Sequence, residues 1–233
     1  MLHERRTLLT IFAALSTVPI AFGYVLVLAG AADPRLTGNI AALTTCLGIT
    51  GVLATPLICV ESRGLSTRRR ISELVFVWTI ISAVAQFFWE LPWLVLHRAL
   101  DGVTEVDRWA WLWWLYGTAD RRWIEADPFV VGMESSMVAT GVLALLAFKA
   151  IRAAERRRAA AYEIVIGLTQ FVLVVLYYLV EALAGNPSIT SNVYEIVVKY
   201  IYMNSFWCVL PLIQIWHGFQ ILGIREVDSA AIV

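Results

Sequence analysis

Six stretches of this chain each hold close to the ~20 predominantly apolar residues needed to cross a bilayer, and this limits the chain to folds that close every backbone hydrogen bond internally. They run approximately Leu8 to Gly30, Gly38 to Val60, Glu73 to Leu96, Pro128 to Ile151, Tyr162 to Ala184 and Val193 to Gly223. In lipid only helices and closed barrels satisfy the backbone. Unbroken apolar runs of this length predict helices, so the expected fold is all-α, a polytopic membrane bundle of about six spans. With 60% hydrophobic and 15% charged residues, the 233-residue chain lacks the polar surface to cover a water-soluble core. The first span is too long and too lightly flanked for a signal peptide, and no small-residue cleavage site follows it, so it is expected to persist as a helix.

Charge between the spans sets the expected orientation. Arg5 and Arg6 precede span one, Arg63 and Arg68 to Arg70 separate spans two and three, and Lys149, Arg152 and Arg156 to Arg158 separate four and five. The alternate connections carry few or balanced charges. The positive-inside rule therefore predicts both termini in the cytoplasm, of a bacterial inner membrane or the endoplasmic reticulum. These short basic runs form no broad patch, which argues against nucleic-acid partners. Cys46, Cys59 and Cys208 lie in apolar segments and read as packing residues. His3, His97 and His217 are isolated along the chain, with no spacing for a metal site. The connection from Asp101 to Asp127 holds Trp109, Trp111, Trp113, Trp114, Tyr116 and Trp123; an interfacial aromatic belt is favoured over a lid.

Ionisable groups at membrane depth are costly, and they mark candidate sites. At ~1.5 Å per residue, Glu90 lies about 25 Å along span three from its cytoplasmic end. Asp127 and Pro128 read as N-cap and first residue of span four, which leaves Glu134 about 9 Å deep from the opposite side. The two carboxylates reach a similar level. Asn204 comes about 16 Å below the outer end of span six, with Trp207 one turn deeper on nearly the same face. Plainer readings stand beside these: Glu134 as a packing hydrogen bond, Asn204 as a helix joiner, Trp207 as core. Glu195 and Lys199, spaced i, i+4, neutralise each other, with Glu181 as a competing partner; this trio reads as structural. A polar pocket between spans three, four and six is the economical arrangement.

The run from Tyr116 through Asp120, Arg122, Ile124, Asp127 and Phe129 to Met133 and Glu134 resembles the emopamil-binding protein family, the sterol delta8-delta7 isomerases and their EXPERA-domain relatives. Met203, Asn204, Trp207, Leu210 and Pro211 are similar to that family's last-helix motif. Gln170 followed by Leu176, Tyr177, Leu179 and Glu181 is similar to its penultimate helix. The resemblance covers roughly Ile71 to Gly223. It implies a division into an N-terminal pair of spans over 1–70, an EXPERA-type region over 71–223 and a short cytoplasmic tail over 224–233, within one compact domain. Span one is then an addition to a five-helix unit.

The resemblance also implies a cavity for a rigid polycyclic lipid, a sterol, steroid or related terpenoid, in which a double bond moves through a carbocation. Glu90, Glu134 and Asn204 take the catalytic positions, and Gln86, Trp207, Tyr116, Asp120, Gln170 and Tyr177 the substrate-binding ones. Gln86 stands where the family has His, and an amide cannot relay a proton as imidazole does. Alkene migration needs one carboxyl that donates a proton and one that accepts, with an electron-rich wall such as Trp207 beside the cation. No cofactor or metal is expected. Cationic amphiphilic amines are expected as inhibitors, membrane lipids surround the bundle, and a homodimer is left open. A terpenoid cyclase or rearrangement enzyme, and a non-catalytic lipid-binding or trafficking protein, are the alternatives.

Overall fold

The computed structural model describes residues 2–223; the tail over 224–233 expected above lies outside them. In chain order the helices are α1 (Leu2–Leu28), α2 (Pro34–Ile58), α3 (Thr67–Ala85), α4 (Leu91–Leu96), α5 (Trp111–Gly117), α6 (Pro128–Arg152), α7 (Arg156–Leu183) and α8 (Met203–Leu222). Six segments are long and apolar enough to cross a membrane: Glu4–Leu28, Pro34–Ile58, Thr67–Leu96, Pro128–Arg152, Arg156–Leu183 and Glu195–Leu222. The protein is all-α, and no strand occurs among the described residues.

Local chemistry starts the helices. Asp33 accepts from the Leu36 N–H, with Pro34 in the first turn of α2; Asp127 accepts from the Phe129 and Val130 N–H groups ahead of α6, where Pro128 occupies the first turn. An acceptor followed by proline satisfies donors that the first helical turn leaves free. The third span is not a regular helix. Pro92 lacks an N–H and its ring crowds the carbonyl four residues earlier, and just before it the backbone widens into a π turn over Gln86–Glu90, the Leu91 N–H reaching back to the Gln86 carbonyl. A second π segment, Glu195–Tyr202, leads into α8. Single π turns concentrate at functional sites. Here the wide turn keeps Gln86 and Glu90 both buried while Phe88 between them is 78% exposed.

α1 lies along α2, and Gly48 makes their close approach possible: a Cβ there would stand 2.5 Å from the Ser16 nitrogen and 2.7 Å from the Phe12 carbonyl oxygen, both backbone atoms. Gly48→Val is therefore expected to destabilise the protein by about 1–3 kcal/mol, the usual cost of overpacking. An unchanged unfolding midpoint in detergent would show that α1 yields freely.

The connection between α4 and α6 differs from the favoured belt reading. Trp111, Trp113, Trp114, Tyr116 and Trp123 are all buried, and Trp109, at 40%, is the exposed indole of this segment. Two of the indoles find backbone acceptors inside, Trp111 on Pro34 and Trp113 on Trp89, and the Trp123 carbonyl accepts from Trp93 of α4. A belt would leave those donors at the headgroups. The segment is instead a cap over the end of the bundle, packed on Val27, Ala41 and Tyr177.

Two buried ionic clusters pin the cap. Asp120 accepts from the Arg122 side chain at 2.6 Å, from the Arg122 N–H and from the Tyr177 hydroxyl, and Arg122 lies 3.4 Å from Glu181. Glu195 pairs with Lys199 at 3.5 Å and Arg35 at 3.2 Å, and the Lys199 ammonium donates to Thr118. Glu181 thus joins Arg122 and the Ser188 N–H, not Lys199.

Candidate functional site

A cavity of about 590 Å³ opens inside the bundle beneath the cap, within the ~300–1,000 Å³ usual for ligand pockets. Its walls are mostly apolar, and Glu90, Glu134, Asn204, Trp207, Tyr116 and Tyr177 all line it. The helices α1 and α2 contribute Ser16, Ile20, Cys46 and Ile49, so the N-terminal pair of spans forms one wall. Nothing in the sequence marks those residues, which are ordinary for any apolar helix. The lining residues Val84 and Phe88 are also exposed on the outer, apolar face of the third span.

Glu90 comes from the π turn and Glu134 from the second turn of α6; both are at least 95% buried. Their carboxyls hydrogen-bond to each other. Ionised carboxylates only accept, so this contact exists only with a proton between them. No donor reaches the buried Oε2 of either. The two carboxyls thus meet at one point of an apolar chamber.

Asn204 sits beside this pair but is not bonded to it. Its amide nitrogen donates to the Tyr116 hydroxyl and to the Tyr200 carbonyl. Burial pushes the Tyr116 phenol above its ordinary range, so it stays a neutral hydroxyl. The Trp207 ring packs edge-to-face on Trp78, centroids 5.3 Å apart at 77°, and borders the cavity with its indole N–H unpartnered. Met133, Met137 and Trp123 add polarisable wall; Met133 stands in the motif that ends at Glu134, whereas nothing in the sequence marks Met137.

The other candidate residues lie behind the wall. Asp120 belongs to the Arg122 cluster and reaches the cavity through Tyr177. Gln86 and Gln170 are fully buried and share partners: the Gln86 amide donates to Ser82 and Thr140 at 2.9 and 2.8 Å, and that of Gln170 to the same hydroxyls at 2.6 and 3.3 Å. This polar layer lies one turn from Glu90. His217 is not isolated: its ring nitrogens meet Glu163 at 2.9 Å and Ser72 at 2.8 Å. Sequence spacing gave no sign of this, since the three residues sit on three different helices. Among the described residues no His, Cys, Asp and Glu grouping suits a metal ion.

Residues 108–218 match the family model described as EBP: EXPERA (EXPanded EBP superfamily). The match takes in Tyr116, Asp120, Glu134, Gln170, Tyr177, Asn204 and Trp207, and begins after Gln86 and Glu90.

Proposed function

From the premise that residues 108–218 are an EXPERA domain in an integral membrane protein, we propose that the chain is a cofactor-independent isomerase of a polycyclic lipid, a sterol, steroid or related terpenoid. One observation carries the reading: two buried carboxyls in hydrogen-bond contact project into an apolar chamber of about 590 Å³. One carboxyl protonates an alkene carbon, generating a carbocation in the adjacent ring. The other removes a proton from a neighbouring carbon, and the double bond re-forms one position along. The proton gained then returns across the carboxyl–carboxyl hydrogen bond, so the pair resets without an external acid or base. Trp207, backed edge-to-face by Trp78, provides the electron-rich wall beside the cation. The Asn204–Tyr116 pair offers a polar contact for a ligand hydroxyl, and the substrate comes from the bilayer past Val84 and Phe88.

The test incubates purified protein in heavy water with a panel of polycyclic alkenes, reading double-bond position and label in the recovered lipid. A shifted, labelled alkene is the expected result. Binding with neither shift nor label in any member would leave the second reading, a lipid-binding protein without catalysis. That reading draws on Gln86, whose amide is engaged with Ser82 and Thr140 and supplies no proton.

An amphiphilic tertiary amine, presenting an ammonium where the cation forms, is expected to bind the same cavity. Trp207→Ala should weaken that binding by roughly 2–30-fold, the ~0.5–2 kcal/mol of a cation–π contact, while binding of a neutral sterol changes less. Equal losses for amine and sterol in calorimetric titrations would remove the cation-facing role.

A further inference from the structure

The polar layer behind Glu90 is one part of a longer file. Along α3 and the π turn, Ser72, Thr79, Ser82, Gln86 and Glu90 recur at spacings of seven, three, four and four, one face of a helix running about 27 Å. Polar groups from three other helices meet that stripe. At the Arg-rich end His217 joins Ser72 and Glu163; next, the Gln214 amide donates to Thr79 at 3.3 Å; then come Ser82, Gln86, Thr140 and Gln170; last come Glu90 and Glu134. Thr79, Ser82, Gln86, Thr140, Gln170 and Gln214 are each 97% buried or more.

Polar side chains that serve helix packing alone are expected to be satisfied. Here the amide oxygens of Gln86, Gln170 and Gln214 are buried and receive no donor. Three orphaned acceptors in one file, on three helices, suit hydrogen-bonded water more than packing. The Ser72–His217–Glu163 contacts also have the order of a nucleophile, base and carboxylate. Ser72 lies within α3, however, where the neighbouring N–H groups are spent on the helix and offer an oxyanion nothing. Its hydroxyl bonds back to the Arg68 carbonyl as well. The trio suits proton exchange with water better than acyl transfer.

We propose that this file is a proton path linking water at the Arg-rich end to the Glu90–Glu134 pair, with His217 and Glu163 at its mouth. The proposal rests on the isomerase reading for its purpose: the proton that the pair cycles exchanges with water through this file, and a lipid in the cavity closes the direct way. His217 takes a proton from water and passes it on. Each hydroxyl of Ser72, Thr79, Ser82 and Thr140, and each water held on a glutamine oxygen, accepts one proton and releases another. The amides only orient. One proton reaches the carboxylate of the pair for each that leaves by the same route, so charge and atoms balance. The competing route runs the other way, through Tyr177 and Asp120 toward Arg122 and Glu181, where the Asp120 oxygens are occupied by Arg122 and Tyr177.

Infrared spectroscopy tests this with a saturated sterol filling the cavity and no reactive alkene present, which separates it from the isomerase assay. The full chain in phospholipid nanodiscs is moved from water to heavy water, and the downshift of the carboxyl C=O band that Glu90→Gln and Glu134→Gln remove is followed in time. Gln214→Leu and Gln170→Leu are expected to slow the exchange at least tenfold with helix content and unfolding midpoint retained. His217→Phe, at the mouth, provides the same reading should a core variant fail to fold. Exchange as fast in the Gln214, Gln170 and His217 variants as in the parent overturns the path, as does slowing confined to Tyr177→Phe.

Discussion

Glu134→Gln is expected to lower isomerase turnover by about 10²–10⁴-fold, the range over which a positioned acid or base contributes, while a neutral polycyclic ligand still binds. The amide is nearly isosteric and can donate to Glu90, so the hydrogen bond and the cavity shape survive. What is lost is the second exchangeable proton site: glutamine neither protonates an alkene nor accepts from a carbocation. Glu90→Gln is expected to have an effect of the same order for the same reason. The double substitution should cost little more than either single one, because the two carboxyls act as a unit and such effects are far from additive.

Turnover is measured by chromatographic separation of the double-bond isomers, and binding by titration with a non-reactive saturated analogue. A Glu134→Gln protein with unimpaired turnover would sink the two-carboxyl mechanism outright. Loss of turnover with loss of sterol binding would point to a collapsed cavity, and the structure argues against that outcome. Glu134 makes no hydrogen bond that holds α6 in place, since its contact is with Glu90 and its second oxygen is unpartnered.

The number of spans and the level of the two carboxyls were legible from the sequence because both depend on distance along a helix. Apolar length predicts a crossing, and rise per residue brings Glu90 and Glu134 to one depth, where their carboxyls meet. Rotation about each helix axis leaves a weaker trace. Gln86 and Glu90 are one turn apart on the same side of the third span, and spacing alone does not tell that Gln86 packs behind the wall on Ser82 and Thr140 while Glu90 lines the cavity. Pairings across helices were also hidden: His217, Glu163 and Ser72 are 54 and 145 residues apart in sequence and adjacent in space. The tryptophans between α4 and α6 mislead for a related reason. Composition favours an interfacial belt, and the backbone acceptors that draw the indoles inward appear only once the helices have assembled.

Asp120→Ala is expected to destabilise the protein by about 3–5 kcal/mol, the cost of leaving one member of a buried ion pair uncompensated. Asp120 is fully buried and accepts from the Arg122 guanidinium, the Arg122 N–H and the Tyr177 hydroxyl together. Its removal leaves the guanidinium, 5% exposed, with Glu181 at 3.4 Å and the Tyr177 carbonyl at 3.3 Å. Those partners offset part of the charge, so the lower half of the range is the better expectation. The functional consequence follows from Tyr177, which is both a cavity wall and a ligand of Asp120: freed from it, the phenol no longer fixes the chamber beneath the cap. Sterol affinity should therefore fall along with stability, whereas Asp120→Asn, which keeps an acceptor for Tyr177, should lose less of both. Replacing the three charges together, Asp120→Leu with Arg122→Met and Glu181→Gln, is expected to recover much of the stability, since no uncompensated charge of the cluster remains. Denaturation in mixed micelles reads all three proteins on one scale. A triple variant as unstable as Asp120→Ala would mean that the hydrogen bonds to the cap backbone, and not the buried charge, hold this end of the bundle together.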